Sequence, residues 1–180
     1  MFPNDEIRIH LEDTEWPLDY IDHDRLIARA IVCDDAGQLY FVRAERDDIF
    51  GPATVIETAG GGVEPGEDPD SAILRELQEE LGVHTEILCR IGIVDDYYHL
   101  VHRHNINHYY RCRILSFGER NLTEDEQLHF HLSTLKLSYE QAFREYQLRT
   151  DSPLGRLIAQ REIPVLEQAE KIHSAYLSTK

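Results

Sequence analysis

Three glutamates lie close together in one short segment of the chain and could do chemistry as a group. Glu76, Glu79 and Glu80 have the spacing i, i+3 and i+4, which places their side chains on one arc of an α-helix. Carboxylates held this close repel one another unless a cation is present, and oxygen-rich acidic groups are what Mg²⁺ and Mn²⁺ bind. The spacing predicts a divalent metal site, and the alternative interpretation is an ordinary solvated face of a surface helix.

Two neighbouring features favour the metal site. Arg75 lies four residues before Glu79 and can pair with it, which would orient that carboxylate and still leave the cluster negative. The glycine-rich segment from Gly60 to Gly66 comes just before the helix and allows close approach of the backbone, so a carbonyl group there could complete a coordination shell. We therefore predict a loop and helix that hold phosphate through bound cations.

The helix that carries these side chains has well-marked ends. Asp68 is a favourable N-cap, Pro69 suits the first helical position and Gly82 suits a left-handed stop, which together predict a helix over residues 69–81. Four apolar side chains share one arc of this helix and are predicted to face the core, namely Ile73, Leu74, Leu77 and Leu81.

The elements around this helix follow from alternating and apolar runs. Strands are predicted at residues 7–11, 26–33, 39–44, 53–58, 85–94, 106–115 and 128–135. Two closing helices are predicted at residues 139–148 and 153–177, the second interrupted or restarted at Pro164. Strands before and after a central helix indicate a mixed α/β sandwich.

The charge of the chain limits its partners. Its 34 acidic residues against 18 basic ones give a formal net charge of −16, so we do not expect duplex DNA binding, and a polyphosphate substrate would require bound cations. No apolar run is long enough to span a membrane. Three widely spaced cysteines without a C-x-x-C pair are typical of free thiols in a reducing compartment, which indicates a cytoplasmic protein.

Residues 61–83 resemble the Nudix box, G-x5-E-x7-R-E-U-x-E-E-x-G-U, in which U is a bulky aliphatic residue. Every fixed position is filled as the pattern requires, by Gly61, Glu67, Arg75, Glu76, Leu77, Glu79, Glu80, Gly82 and Val83. Ala59 stands where many family members have proline. The resemblance implies a Nudix-type α/β/α sandwich with a mixed β-sheet between helices. We expect a single domain over residues 1–180, with a core at 24–150 and a C-terminal helical segment at 152–178.

The resemblance also implies a reaction and a ligand set. Glu79 and Glu80 would be the principal ligands of Mg²⁺ or Mn²⁺, Glu76 would act on the metal or on water, and the carbonyl of Gly60 would join them. The reaction would be attack of water on one phosphorus of a nucleoside diphosphate linked to another group (NDP-X), with the metal neutralising the diphosphate. Which NDP-X compound is cleaved stays open.

Other residues of the box would have supporting roles. The resemblance implies that Arg75 orients a ligand carboxylate and that Glu67 braces the loop against the helix, with Gly61 structural. Beyond the box, the acidic loop at residues 122–127 is the natural source of one more ligand or general base. Glu126 is favoured over Glu124 there, and an ordinary acidic loop is the alternative.

Several features outside the box allow more than one interpretation. Arg43 and Arg46 follow the second strand and would contact substrate phosphates or form solvated salt bridges. The last helix has enough apolar surface to pack on the domain or to form a homodimer. Tyr97 and Tyr98 are most simply packing residues, and the irregular run of histidines at residues 99–108 favours surface positions over a zinc site.

Two functions compete with hydrolysis. A non-catalytic Nudix-like sensor would bind nucleotides, although such domains usually lack box carboxylates that this chain retains. An isopentenyl-diphosphate isomerase would need an active-site cysteine, and none of Cys33, Cys89 and Cys112 lies beside the box in the sequence.

Overall fold

The computed structural model describes residues 6–122, 124 and 131–178. Within this part, seven strands form one sheet: β1 Ile7–Leu11, β2 His23–Cys33, β3 Leu39–Asp48, β4 Gly51–Gly62, β5 Val83–Tyr98, β6 Arg103–Phe117 and β7 Ser133–Leu137. The helices are α1 Pro69–Leu81, α2 Tyr139–Leu148 and α3 Pro153–Ser178, and a 3-10 turn at His99–Val101 links β5 to β6. The first six predicted strands and the three predicted helices are found near their predicted positions, and five of those strands are longer than the sequence indicated. The strand predicted at 128–135 is found only at Ser133–Leu137, and residues 128–130 lie outside the described residues.

The sheet is mixed, with the order β1-β5-β6-β2-β4-β3-β7. β1 pairs with β5, and β2 with β6, in parallel, while the other neighbours are antiparallel. β2 lies at the centre of this order, between β6 and β4. Residues far apart in sequence on these three strands are thus brought side by side.

Helices cover both faces of the sheet, which confirms the predicted α/β/α sandwich. Ile73 and Leu77 of α1 are fully buried in a cluster with Ala28 and Tyr110 from the sheet. Residues of α2 and α3 bury a larger cluster on the opposite face, together with Phe41, Ile56 and Tyr109, among other residues. Burying both faces in this way is the usual solution for a mixed sheet, because each face carries apolar side chains.

The ends of α1 agree with the predicted capping. The Asp68 carboxylate accepts a hydrogen bond from the Ser71 backbone N–H at 2.9 Å, and Gly82 ends the helix with φ 66°. The prediction that Leu74 faces the core is wrong, since its exposed fraction is 39%. The buried arc is shifted toward Glu80, which is only 8% exposed, and this shift leaves Leu74 at the margin.

The glycine-rich segment differs from the predicted loop, because β4 continues through Gly62. Gly60, Gly61 and Gly62 pair with Arg29, Ala28 and Ile27 of β2. Gly60 has φ 143°, and a Cβ there would lie 2.1 Å from the Ala28 carbonyl oxygen. Glycine is required at this point because the two strands approach too closely for a side chain.

The last helix also differs from the prediction, since α3 runs without a break from Pro153 through Pro164 to Ser178. A proline inside a helix lacks the N–H that would bond to the carbonyl four residues earlier. Val165, Leu166 and Ala169 directly after it are fully buried in the core, so packing retains the helix where local propensity would end it. No helix in the described part of the chain has the length and apolar character needed to cross a membrane.

Candidate functional site

Arg75 joins the start of α1 to the end of β4. Its guanidinium donates to both carboxylate oxygens of Glu67 at 3.0 and 2.9 Å and to the Gly62 carbonyl at 3.0 Å. Its Nη1 also donates to Glu76 at 2.7 Å and to Glu79 at 3.2 Å. The structure thus brings Arg75 onto Glu79, as the four-residue spacing predicted, and adds two further carboxylates to the same cation.

These contacts change the acidity of the groups involved. The hydrogen bonds to Glu67 are the largest cause of the raised pKa of Arg75. The same bond from Arg75, together with a bond from the Glu64 backbone N–H, lowers the pKa of Glu67. Glu67 is therefore held as a carboxylate, and its position between loop and helix is that of a brace.

The glycines at the end of β4 let two carboxylates lie directly on the backbone. Glu80 accepts a hydrogen bond from the Gly60 backbone N–H at 2.7 Å. A Cβ on Gly61 would lie 2.5 Å from the Glu76 carboxylate, which is closer than real atoms approach. Any side chain at Gly61 would therefore displace Glu76.

The donor chemistry of this cluster suits a divalent cation, while its present arrangement does not form a complete cage. Glu76, Glu79 and Glu80 supply carboxylate oxygens only, the ligands that Mg²⁺ and Mn²⁺ prefer. Within residues 6–122, 124 and 131–178, no three acidic, histidine or cysteine side chains converge as metal ligands. The positive charge of Arg75 lies between Glu76 and Glu79 instead. The residues fit a metal provided that Glu79, whose side chain is 39% exposed, turns away from Arg75.

A cavity of about 510 Å³ opens in front of α1 and the end of β4. Among the described residues, its charged lining consists of six arginines and five glutamates: Arg25, Arg29, Arg46, Arg75, Arg103, Arg161, Glu57, Glu64, Glu76, Glu79 and Glu80. The chain as a whole has only 18 basic residues against 34 acidic ones. Cations are thus concentrated in the cavity of a strongly acidic protein, which suits an anionic ligand.

The floor of this cavity is a buried ionic network supplied largely by α3. Arg161, which is 1% exposed, donates to Glu57 at 2.6 Å, to Asp96 at 3.3 Å and to the Tyr98 hydroxyl at 2.9 Å. Burial by itself raises the pKa of Glu57, but the charges of Arg29 and Arg161 outweigh it and hold that pKa at about 2. Glu57 is therefore a carboxylate at neutral pH.

Glu162, the next residue of α3, belongs to the same buried network but does not line the cavity. Its buried carboxylate accepts hydrogen bonds from the hydroxyls of Thr58 and Tyr109, each at about 3.0 Å, and from the Nε of Arg161 at 3.1 Å. These bonds tie α3 to β4 and β6. The sequence indicated only a packing or dimerisation surface for this helix, and its contact with the cavity was not predicted.

The predicted phosphate-binding arginines differ in position. Arg46 lines the cavity, donates two hydrogen bonds to Asp48 and lies over the Phe50 ring. Arg43 does not line the cavity and pairs with Glu45 at 2.8 Å. The structure therefore gives no support to a substrate contact by Arg43, because alternation along β3 turns adjacent side chains to opposite sides.

The acidic loop, the tyrosines and the cysteines complete the set of sequence candidates. Glu126 lies outside the described residues, and Glu124 is exposed. Tyr98 lines the cavity whereas Tyr97 stacks on His104. No cysteine of the described chain lines the cavity, so the structure offers no thiol for an isomerase reaction.

Several charged or polar lining residues outside the box were not predicted, namely Arg25 and Arg29 on β2, Glu57 and Thr58 on β4, Arg103 and Asn105 on β6, and Arg161 on α3. The available signal was the spacing of polar residues at positions 25 and 29 and at 103, 105 and 107, because residues an even number of positions apart on a strand lie on one face. The pairing of β2 with β6 could not be inferred from it, because parallel partners lie far apart in sequence.

Comparison with known proteins places this geometry in a family context. The family model of the NUDIX domain matches residues 23–152. The ADP-ribose pyrophosphatase of Bacillus subtilis is 26% identical to the chain over 95% of the chain and 93% of its own length. The 8-oxo-dGTP diphosphatase of Haemophilus influenzae is 40% identical, but over only 32% of the chain and 40% of its own length.

Solved structures show the same fold. A NUDIX hydrolase from Nitrosomonas europaea superposes with a TM-score of 0.62 at 19% identity, covering 85% of this chain and 90% of the other. The E. coli ORF135 protein superposes with a TM-score of 0.56 at 22% identity, covering 84% and 92%. The family model ends at residue 152, so α3, with Arg161 and Glu162, lies beyond the matched region.

Proposed function

This chain belongs to the NUDIX family, and from that premise we propose that it is a pyrophosphohydrolase that uses Mg²⁺ or Mn²⁺ to cleave a diphosphate linkage in a small nucleoside diphosphate derivative, NDP-X. The observation that carries the proposal is the junction of α1 with β4, where Glu76, Glu79 and Glu80 border a cavity rich in arginine. Carboxylates that can hold cations and arginines that can hold phosphate are the two groups that hydrolysis of a diphosphate requires.

The residues of the chain would divide the work. Glu79 and Glu80 would hold the cation, with Glu76 beside them on Gly61 and the Gly60 carbonyl as a further oxygen ligand. When bound, the divalent cation supplies neutralisation of the diphosphate and increases the acidity of water. Arg75 would orient the carboxylates of Glu76 and Glu79, since it donates a hydrogen bond to each.

Hydrolysis also needs a group that accepts a proton from water. Glu76 is one candidate for this general base, because its carboxylate lines the cavity and lies against Gly61. Glu126 remains the second candidate. Single substitutions of Glu76 and Glu126 by glutamine, followed through the pH profile of turnover, would distinguish them, since only loss of the base removes the acidic limb of the profile.

Two relatives suggest where to look for the substrate. The relative matched over nearly full length is named for ADP-ribose, and the relative matched over 57 residues is named for an oxidised nucleoside triphosphate. The test is a hydrolysis panel containing ADP-ribose, nucleotide sugars, dinucleoside polyphosphates and nucleoside triphosphates, with Mg²⁺ or Mn²⁺ and products resolved by chromatography. We expect one class to be cleaved far faster than the others, and only with metal.

The same panel can reject the proposal. If purified protein binds the metal and nucleotides but cleaves none of them, the chain is a nucleotide sensor rather than a hydrolase. Cleavage that persists unchanged in the presence of EDTA would reject the metal requirement.

A further inference from the structure

Two arginines at the mouth of the cavity have no acidic partner in the described chain. Arg29, Arg46, Arg75 and Arg161 each pair with a carboxylate. Arg25 and Arg103 form no hydrogen bond or ion pair with any residue of the described ranges. Two uncompensated cations in a protein of net charge −16 are a local excess that an anion would neutralise.

Backbone pairing brings these two arginines together. β2 and β6 run in parallel, with His23 opposite Arg103 and Arg25 opposite Asn105. The guanidinium of Arg25 packs against the end of β4, because a Cβ on Gly62 would lie 3.4 Å from its Nη2 atom. The site is therefore adjacent to the glycines on which the box carboxylates rest.

Arg103 is held on the other side of the same opening. Its guanidinium lies over the Tyr98 ring, 5.6 Å from the ring centroid, and its Nε is buried without a hydrogen-bond partner. Burial, and then the positive charge of Arg25, lower the pKa of Arg103. The two guanidiniums thus repel each other, and a ligand with two negative charges would relieve that repulsion.

Asn105 lies opposite Arg25 and two residues after Arg103 on β6, and it is only 1% exposed. Its Oδ1 is buried without a partner, and the residue lines the cavity. Buried polar groups are nearly always hydrogen-bonded, and leaving one unpaired is costly. The unpaired Oδ1 is an acceptor and does not itself favour an anion, whereas the NH2 group of the same side chain can donate to a phosphoryl oxygen of the same ligand.

We propose that Arg25, Arg103 and Asn105 form a subsite for a phosphoryl group of the substrate that lies beyond the diphosphate bond held at α1. Guanidinium groups match phosphate oxygens in a bidentate geometry. The inference rests on the proposed function and deepens it, because it selects compounds with a terminal phosphoryl group, such as nucleoside triphosphates or NDP-X with a phosphorylated X. A compound that ends in a neutral sugar would leave both arginines unneutralised.

The first experiment measures binding without catalysis. Inorganic phosphate is titrated into the wild type and the Arg25→Gln and Arg103→Gln variants in EDTA, with calorimetric detection. We expect each variant to bind phosphate roughly tenfold more weakly than the wild type, because it loses a charge-assisted hydrogen bond to the anion. The control is Arg113→Gln on the same strand, whose side chain is 46% exposed and pairs with Glu86. Wild-type protein that binds no phosphate, or equal weakening in the control, would overturn the subsite.

The second experiment tests the position of the phosphoryl group. In the Arg103→Gln variant, kcat/KM is expected to fall by about tenfold or more for a nucleoside triphosphate and by much less for ADP-ribose. Equal losses for both compounds would show that the arginines hold the diphosphate itself, which contradicts the proposal. Thermal unfolding of each variant confirms that the fold is retained.

The two proposals fail separately. Phosphate binding in EDTA that depends on Arg25 and Arg103, without hydrolysis of any nucleotide, would retain the anion site and reject the hydrolase. Metal-dependent hydrolysis without a selective effect of Arg103→Gln would retain the hydrolase and reject the subsite.

Discussion

Arg161 on α3 donates a 2.6 Å hydrogen bond to Glu57 on β4, across 104 residues of sequence. Both residues line the cavity, and the side chain of Arg161 is 2% exposed. The last helix lies beyond the region matched by the NUDIX model. Through this contact it supplies part of the floor of the candidate active site.

The Arg161→Met variant should be strongly destabilised. It removes the cation from between Glu57, Asp96 and Glu162, and leaving buried carboxylates without their partner costs about 3–5 kcal/mol. Chemical denaturation gives the free energy of unfolding. The control is Arg144→Met on α2, whose pair with Glu140 is exposed and should change stability by less than about 1 kcal/mol. Similar losses in the two variants would contradict the role given to the buried network.

Stability should depend on the ionisation of Glu57 in acid. Its pKa in the folded protein is about 2, below its ordinary value of 4.5. The carboxylate therefore stabilises the fold fully above about pH 4.5, and this contribution, roughly 3 kcal/mol, is lost as the pH falls toward 2. The free energy of unfolding of the wild type and of Glu57→Gln is measured from pH 7 to 2.5. The difference between them should narrow below pH 4.5, and a constant difference would refute the assignment.

Removing one box carboxylate should greatly reduce turnover without unfolding the protein. We expect Glu79→Gln to lower kcat roughly 100-fold or more, because one charge of the metal site is lost. The Glu79 side chain is 39% exposed, so the free energy of unfolding should change by less than about 0.5 kcal/mol. Glu140→Gln removes the acid of another i, i+4 pair with arginine and serves as the control. Wild-type turnover in Glu79→Gln would reject the metal site.

A single methyl group at the end of β4 should also impair the site. In Gly61→Ala the new Cβ would meet the Glu76 carboxylate at 2.5 Å and force it to move, and a displacement of about 1 Å can reduce the rate roughly 100-fold. Gly118→Ala is the control, since its Cβ would make an ordinary contact at 3.6 Å with His84. Steady-state kinetics with both variants decides the point, and equal activity would show that Glu76 tolerates displacement.

The local features of the fold were predictable from sequence, and the distant ones were not. Asp68, Pro69 and Gly82 define α1 because caps act within a few residues. The Arg75–Glu79 contact follows from one turn of helix. The position of Leu74 could not be predicted, because burial of Glu80 shifted the inward arc of α1.

The same distinction explains what was missed in the cavity. Arg25 and Arg103 become neighbours only through the parallel register of β2 with β6, and strand register is a property of the whole sheet. Glu162 meets Thr58 across 104 residues, a separation at which no periodicity in the sequence carries information. Residue types in the sequence were sufficient to predict the chemistry of the site. The sheet topology was needed to find all the side chains that line the cavity.

The long span between Glu162 and its partners has a consequence for how the protein acquires activity. Thr58 and Tyr109 would bury their hydroxyls unpaired until α3 docks, so the sheet and the last helix should unfold and refold as one cooperative unit. During synthesis from the N-terminus, the carboxylates of α1 emerge long before the floor of their cavity does. Catalytic competence should therefore be the last property to form, and enzymatic activity should report on folding of the whole chain.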